Sequence, residues 1–522
     1  MTLVLYGLPG FLPGASSGPT QARTASIGWM GIPSSVFLAA AWAAIAAGGA
    51  CGGDTVTTAP QTPTPPAAPA PSPTITVSPS DASLEVGHTI QFSVTVTDAS
   101  GQPVANPEIT WSTSDASQAW VREDGLVTGA GRGRPRVIAT SGGAEGSARL
   151  TVTASPITNL LLGVHRQYQL IGLAGAIVTS DGLLEVGAVG TRAHESPVPV
   201  TIYDRWHLGS ITKSMTASVA AVLVERGALE WTTTLEGAFA DLTDIRPELR
   251  SVPIEPILAH RGGFTNDLGQ FSTWEQMWTS TDPLRVQRRA FTMEVLGTAP
   301  EFSPLNTFHY SNVGYVIAGA MLEAVSGEEW EALMRAELFA PLGMADTGFG
   351  APGVAGAMDE PRGHQGQGTA RMALEPGDPR ADNPPALGPA GTVHATMQDL
   401  ARYVAFHLAG EQEREGLLLS PGTIRRLHTP ESDFDYASGW GVTEREWAGG
   451  RALAHAGSNT LWLAVVWMAP AKDFAVLVAT NQAGDAAFEA TDLAAWRLIQ
   501  RHLGITTAGD KLAVGSRTPL PR

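Results

Sequence analysis

Cysteine is all but missing from this chain: a single one, Cys51, in 522 residues. One thiol excludes an intramolecular disulfide and any cysteine-rich metal site. Lysine is nearly as scarce, with only Lys213, Lys472 and Lys511 among 33 Lys and Arg. Positive charge is short overall, 33 basic residues against 50 acidic ones, for a net charge of -17. Such a surface repels phosphate backbones, which argues against nucleic acid as a partner. A long apolar run is lacking too, since the stretch from Val36 to Ala47 is too short to span a bilayer comfortably. What is present is globular material, 43% hydrophobic and 16% charged, with 37 prolines that imply a linker. The length suggests about three domains.

The apolar run leads through Gly48-Gly49-Ala50 to Cys51. Cysteine directly after small residues resembles a bacterial lipoprotein signal, although Gly48 stands where that pattern prefers an aliphatic residue. The resemblance implies that Cys51 is lipidated, as first residue of a mature chain held at a membrane in the periplasm or on the cell surface. Cleaved secretion and an uncleaved anchor are the alternatives, and all three export the protein. Residues 1 to 50 then comprise an upstream segment and the signal, with Met30 a second candidate start. Residues 51 to 73, rich in Pro, Thr and Ala, have little to bury and read as a semi-extended tether.

Between 74 and 154 the period shortens. Segments such as Ile90-Gln91-Phe92-Ser93-Val94-Thr95-Val96 and Ala148-Arg149-Leu150-Thr151-Val152 alternate or are β-branched, and turns such as Asp98-Ala99-Ser100-Gly101 separate them. About seven short strands without a helix predict a β-sandwich. The order of Leu84-Glu85-Val86-Gly87, Ile109-Thr110-Trp111 and Asp124-Gly125-Leu126-Val127 resembles the bacterial Ig-like group-two domain. That resemblance implies an extracytoplasmic spacer, or a module in contact with the cell wall.

From 158 to 505 the pattern is mixed, leaving a tail at 506 to 522. A hairpin is predicted around Ser180-Asp181-Gly182, helices over 210–226, part of 270–296, 312–325, 328–339 and 397–409, then strands over 439–447, 451–455, 461–469 and 474–480 and a helix over 486–503. Strands at both ends with helices between predict an antiparallel sheet flanked by helices, with an inserted helical region: an α+β fold.

Three short motifs carry chemistry. Ser210-Ile211-Thr212-Lys213 places a hydroxyl and an amine three residues apart at a helix entry after Gly209, so both share a face. A serine needs an adjacent base to become a nucleophile, and a desolvated lysine, unlike arginine, can lose its proton. Tyr310-Ser311-Asn312 is the only Y-x-N in the chain; beside an ammonium the Tyr310 phenol is expected to acidify and serve as proton shuttle, while Asn312 can bind an amide. His455-Ala456-Gly457-Ser458 is one of five H-x-G copies, set apart by its place on or beside an edge of the sheet.

In that order, S-x-x-K, Y-x-N and H-x-G resemble the serine β-lactamase and penicillin-binding-protein superfamily, in its class C-like branch. Leu258-Ala259-His260-Arg261-Gly262-Gly263-Phe264 and the segment from Pro389 to Ala401 extend the resemblance. It implies Ser210 as nucleophile, Lys213 as its activator and Tyr310 as general base and later acid. Asn312, His455, Gly457 and Ser458 are then substrate-binding, and the N–H groups of Ser210 and Ser458 form an oxyanion hole. The implied activity is acyl-enzyme hydrolysis of a small-molecule or peptide acyl substrate without metal or cofactor: a carboxylesterase or D-amino-acid peptidase or carboxypeptidase, alternatively a β-lactamase. A non-catalytic cell-wall-binding or scaffold protein is the alternative of another class. His455 replaces the lysine of true class C enzymes, and Leu461 stands where many relatives have glycine, which favours esterase or peptidase. A histidine there is expected to be mostly neutral at pH 7 and to gain charge, and with it affinity for carboxylates, on acidification.

Overall fold

The structure, a computed structural model, describes residues 73 to 505 apart from 367, 432 and 433. The signal-like run, Cys51, most of the linker and the tail lie outside the described residues. Among the described residues, no helix is long and apolar enough to cross a membrane.

Nine short strands between Thr74 and Thr153 build the sandwich. Four of them, Asp81–Glu85, Ala144–Thr153, Arg136–Ser141 and Thr110–Thr113, form one sheet, and Thr89–Gln91, Leu126–Gly129 and Ala119–Val121 form another. Ala144–Thr153 buries Gly146, Ala148, Leu150 and Val152 on alternate positions, as a strand with one wet face must. Only Ala154 and Ser155 separate this strand from helix Pro156–Tyr168, which the sequence reading did not anticipate. The Ser155 hydroxyl caps it by accepting the Thr158 N–H, and Pro156 occupies its first turn. The sandwich also bonds directly to the following region, because Ile202 donates its N–H to the Gly87 carbonyl at 2.9 Å.

The second region is centred on a six-stranded antiparallel sheet in the order Gly182–Gly190, Gly172–Thr179, Phe474–Thr480, Leu463–Ala469, Gly450–Ser458, Gly441–Arg445. Phe474–Thr480 is buried at every position, which suits its unbroken apolar run, since helices cover both faces. Pro156–Tyr168 and Asp485–Leu503 lie on one face, while Met397–Glu411 packs against strands 172–179 and 182–190 as part of the inserted helical region. Within that region helix Thr212–Glu225 is buried at each position from Thr212 to Leu223, so it forms the core rather than a surface. A small sheet of Arg205–His207, Val393–Thr396 and Gly348–Phe349 leads into it. The expected helices and strands are present with shifted ends, and Pro421–Leu427 is an additional short helix.

Candidate active site

Ser210 sits in a tight turn, Gly209–Ile211, that runs straight into helix Thr212–Glu225. Gly209 has φ 51, and a Cβ there would overlap the backbone of Gly457 and Ser458. A Cβ on Gly457 would in turn overlap Leu208 O and crowd Ser210 N. Two glycines therefore let the turn and strand Gly450–Ser458 touch backbone to backbone, which brings the Ser210 and Ser458 amides together.

Lys213, one turn on, is wholly buried. Its Nζ bonds to Ser210 Oγ at 3.0 Å, Asn312 Oδ1 at 2.7 Å and the Ala390 carbonyl at 2.7 Å. No carboxylate bonds to it among the described residues, and burial pushes its pKa well below the ordinary lysine value. A neutral amine keeps two protons and one lone pair. In that form Asn312 Oδ1 and Ala390 O, which only accept, would take the two protons and leave the lone pair for Ser210, the one partner able to donate.

Asn312 begins helix Asn312–Ser326, and Ser311 caps it by accepting the Gly314 N–H. Tyr310 lies with its ring centroid 4.9 Å from Lys213 Nζ and its hydroxyl beside Ser210. Its acidity differs from expectation. Burial raises the phenol pKa, Ser210 offsets only part of this, and a lysine driven toward the neutral form gives little charge to lower it. Tyr310 is thus held as the phenol.

His455 lies in mid-strand, one strand in from the sheet edge formed by Gly441–Arg445. Its Nδ1–H donates to the Ala456 carbonyl at 2.8 Å, which leaves Nε2 to accept from the Tyr436 hydroxyl at 3.1 Å. Burial pushes its pKa down to about 3. The expectation of a histidine that charges on mild acidification is therefore corrected: the ring stays neutral far below pH 6. The Ser458 hydroxyl donates to Trp462 O at 2.6 Å and so shapes the turn after the strand.

Sequence reasoning missed several partners. Tyr436 reaches His455 from a loop with no motif. His260, in the left-handed region with φ 58, sets its ring, tilted, 4.3 Å from Tyr310 and 4.7 Å from Tyr436 and accepts the Ser311 N–H. Ala390 O belongs to the Pro389 to Ala401 segment, whose resemblance was the available signal.

A β-lactamase family model matches residues 142–501, and a bacterial Ig-like domain (group 2) model matches 71–152. The chain is 27% identical over 251 residues to a penicillin-binding protein 4 from Amycolatopsis lactamdurans, covering 47% of this chain and 61% of that one. It is 23% identical over 357 residues to a D-aminopeptidase from Brucella anthropi, covering 66% of this chain and 62% of that one. The chain thus spans about three-fifths of the length of these curated relatives. The fold is also that of a D-amino acid amidase from Ochrobactrum anthropi SV3, solved with L-phenylalanine amide, at TM-score 0.52, 20% identity and 67% and 100% coverage of the two chains.

Proposed function

Since the chain belongs to the β-lactamase family of serine hydrolases, we propose that it hydrolyses esters or D-amino-acid amides through an acyl-enzyme on Ser210. The observation that carries this reading is the buried Lys213, with no carboxylate partner among the described residues and its Nζ 3.0 Å from Ser210 Oγ. Ser210 Oγ attacks the acyl carbon and its proton passes to Lys213 Nζ. The N–H groups of Ser210 and Ser458 hold the developing oxyanion. Tyr310, held as the phenol, gives its proton to the leaving group and regains one from the Lys213 ammonium, and water then cleaves the ester by the reverse route. Asn312 has its Oδ1 on Lys213 and its Nδ2 free to meet a substrate carbonyl.

Neutral His455 offers no cation to a substrate carboxylate, which favours acyl donors without one over β-lactams and carboxypeptidase substrates. The proposal includes export on a lipidated Cys51, with the Ig-like domain as spacer or cell-wall contact. Intact mass after exposure to p-nitrophenyl esters, D-amino-acid amides, D-Ala-D-Ala peptides and labelled penicillin tests it. A wild-type acyl adduct absent from Ser210→Ala is expected, and an adduct on that variant overturns the assignment of the nucleophile. Cys51→Ser should move the protein from the membrane to the soluble exported fraction.

A further inference from the structure

Behind the Ser210 turn lies a second set of polar side chains. The Gly209 N–H points at His207 Nδ1, 3.1 Å away. A backbone N–H only donates, so Nδ1 must accept and the ring proton must sit on Nε2. That Nε2–H donates to Asp382 Oδ2 at 2.8 Å. The other oxygen, Oδ1, accepts from Asn459 Nδ2 at 3.0 Å and from the Asn383 N–H at 2.7 Å. Asn459 Nδ2 also approaches Ala381 O at 3.4 Å, and its Oδ1 accepts the Leu461 N–H at 3.2 Å. His207 is wholly buried and Asn459 is 6% exposed.

The two arms of this carboxylate end on either side of the glycine contact described above. One holds the N–H of Gly209, the residue before Ser210, and the other ends on Asn459, the residue after Ser458. We propose that Asp382 is a positioning residue which, through His207 and Asn459, aims the Ser210 and Ser458 N–H groups at the developing oxyanion. The inference rests on the reading of Ser210 as nucleophile. A carboxylate behind an imidazole fixes its tautomer and orientation. Here the tautomer matters, because a proton on Nδ1 would face the Gly209 N–H and push the turn away. An oxyanion donor is worth about 10²–10³ in kcat, so partial misaiming of two donors should cost about 10–100-fold.

The test uses the full chain, p-nitrophenyl acetate turnover, and inhibition by phenylboronic acid, whose tetrahedral serine adduct reports on the oxyanion donors. Asp382→Asn should lower kcat about 10–100-fold with little change in KM, and weaken the boronate by a similar factor. His207→Gln keeps a donor for Asp382 but loses the acceptor for Gly209, and should match it. His207→Asn, which can keep that acceptor, should retain more activity. Should Asp382→Asn fail to fold, Asn459→Ala read the same way replaces it. Wild-type kcat and boronate affinity in these variants, or a fall in kcat with boronate affinity intact, overturns the proposal. Turnover by Ser210→Ala would instead overturn the nucleophile on which it rests.

Discussion

Arg288 and Lys213 are both fully buried cationic side chains, and the protein treats them in opposite ways. Arg288 meets Glu323 at 3.0 Å through Nε and Glu331 at 2.9 and 2.7 Å through its two Nη atoms. Burial works against its charge, yet the two carboxylates outweigh burial and hold its pKa above the ordinary value. Lys213 has three neutral oxygen partners, so nothing opposes desolvation. The same fold thus supplies countercharge to Arg288 and withholds it from Lys213, the base of the proposed mechanism.

The strongest way to break this contrast is to alter Lys213. Lys213→Arg should lower turnover by about 10³–10⁴ or more, because the guanidinium cannot give up its proton. Lys213→Met should be equally inactive yet melt at a higher temperature. In the folded state the lysine pKa is depressed, so over the window between its folded and unfolded values unfolding takes up a proton, and the wild type loses stability as pH falls through that window. Near wild-type turnover by the arginine variant, or a lower melting point for Lys213→Met, would contradict this.

On the other side, Glu323→Ala strips a buried charge pair of one partner and should cost about 3–5 kcal/mol in urea unfolding, with kcat per folded molecule unchanged. Asn312→Asp sharpens the contrast by giving Lys213 a carboxylate of nearly the same shape. The ammonium should then persist at neutral pH, so kcat/KM falls about 10²-fold at pH 7 and recovers as pH rises. A pH profile that superimposes on the wild type would exclude it.

His455 gives a smaller effect. Its folded pKa is depressed to about 3 from 6.5, so its contribution is fully present above about pH 6.5 and fades as pH falls toward 3. The slope is at most about 1.4 kcal/mol per pH unit, and His455→Gln should flatten it in urea titrations at pH 7.5 and 5. Tyr436→Phe, which removes one neutral hydrogen bond to that ring, should change kcat by about tenfold or less.

Local spacing made much of the site legible. Ser210 and Lys213 are bound to share a face once a helix forms, and Ser311 marks a helix start that turns Asn312 inward. Helix Pro156–Tyr168 was equally readable, with a Ser155-Pro156 start and Ile157, Leu161 and Val164 at helical spacing on its buried face. The rest was not local. Asp382 meets His207 across 175 residues, and Tyr436 reaches His455 from a loop with no periodic signal. The direction of the Tyr310 shift depends on how much protein encloses it, a property of the whole fold that no spacing encodes.

The strand order of the main sheet also has a consequence in time. Leu173 on Gly172–Thr179 pairs with Thr480 on Phe474–Thr480, and this seam joins an early strand to the last one among the described residues. The sandwich strands pair among themselves within residues 74–153, whereas strand 172–179 must wait for residues 474–480 before it gains that neighbour. Closing so long a loop is slow, though its entropic cost grows only with the logarithm of length. His455 and Ser458 ride on strand Gly450–Ser458, which also arrives late, so Ser210 is synthesised long before the strand that completes its surroundings. The surroundings of Ser210 are therefore completed only once residues 450–480 are in place, and a truncation before residue 474 leaves the sheet open at its centre.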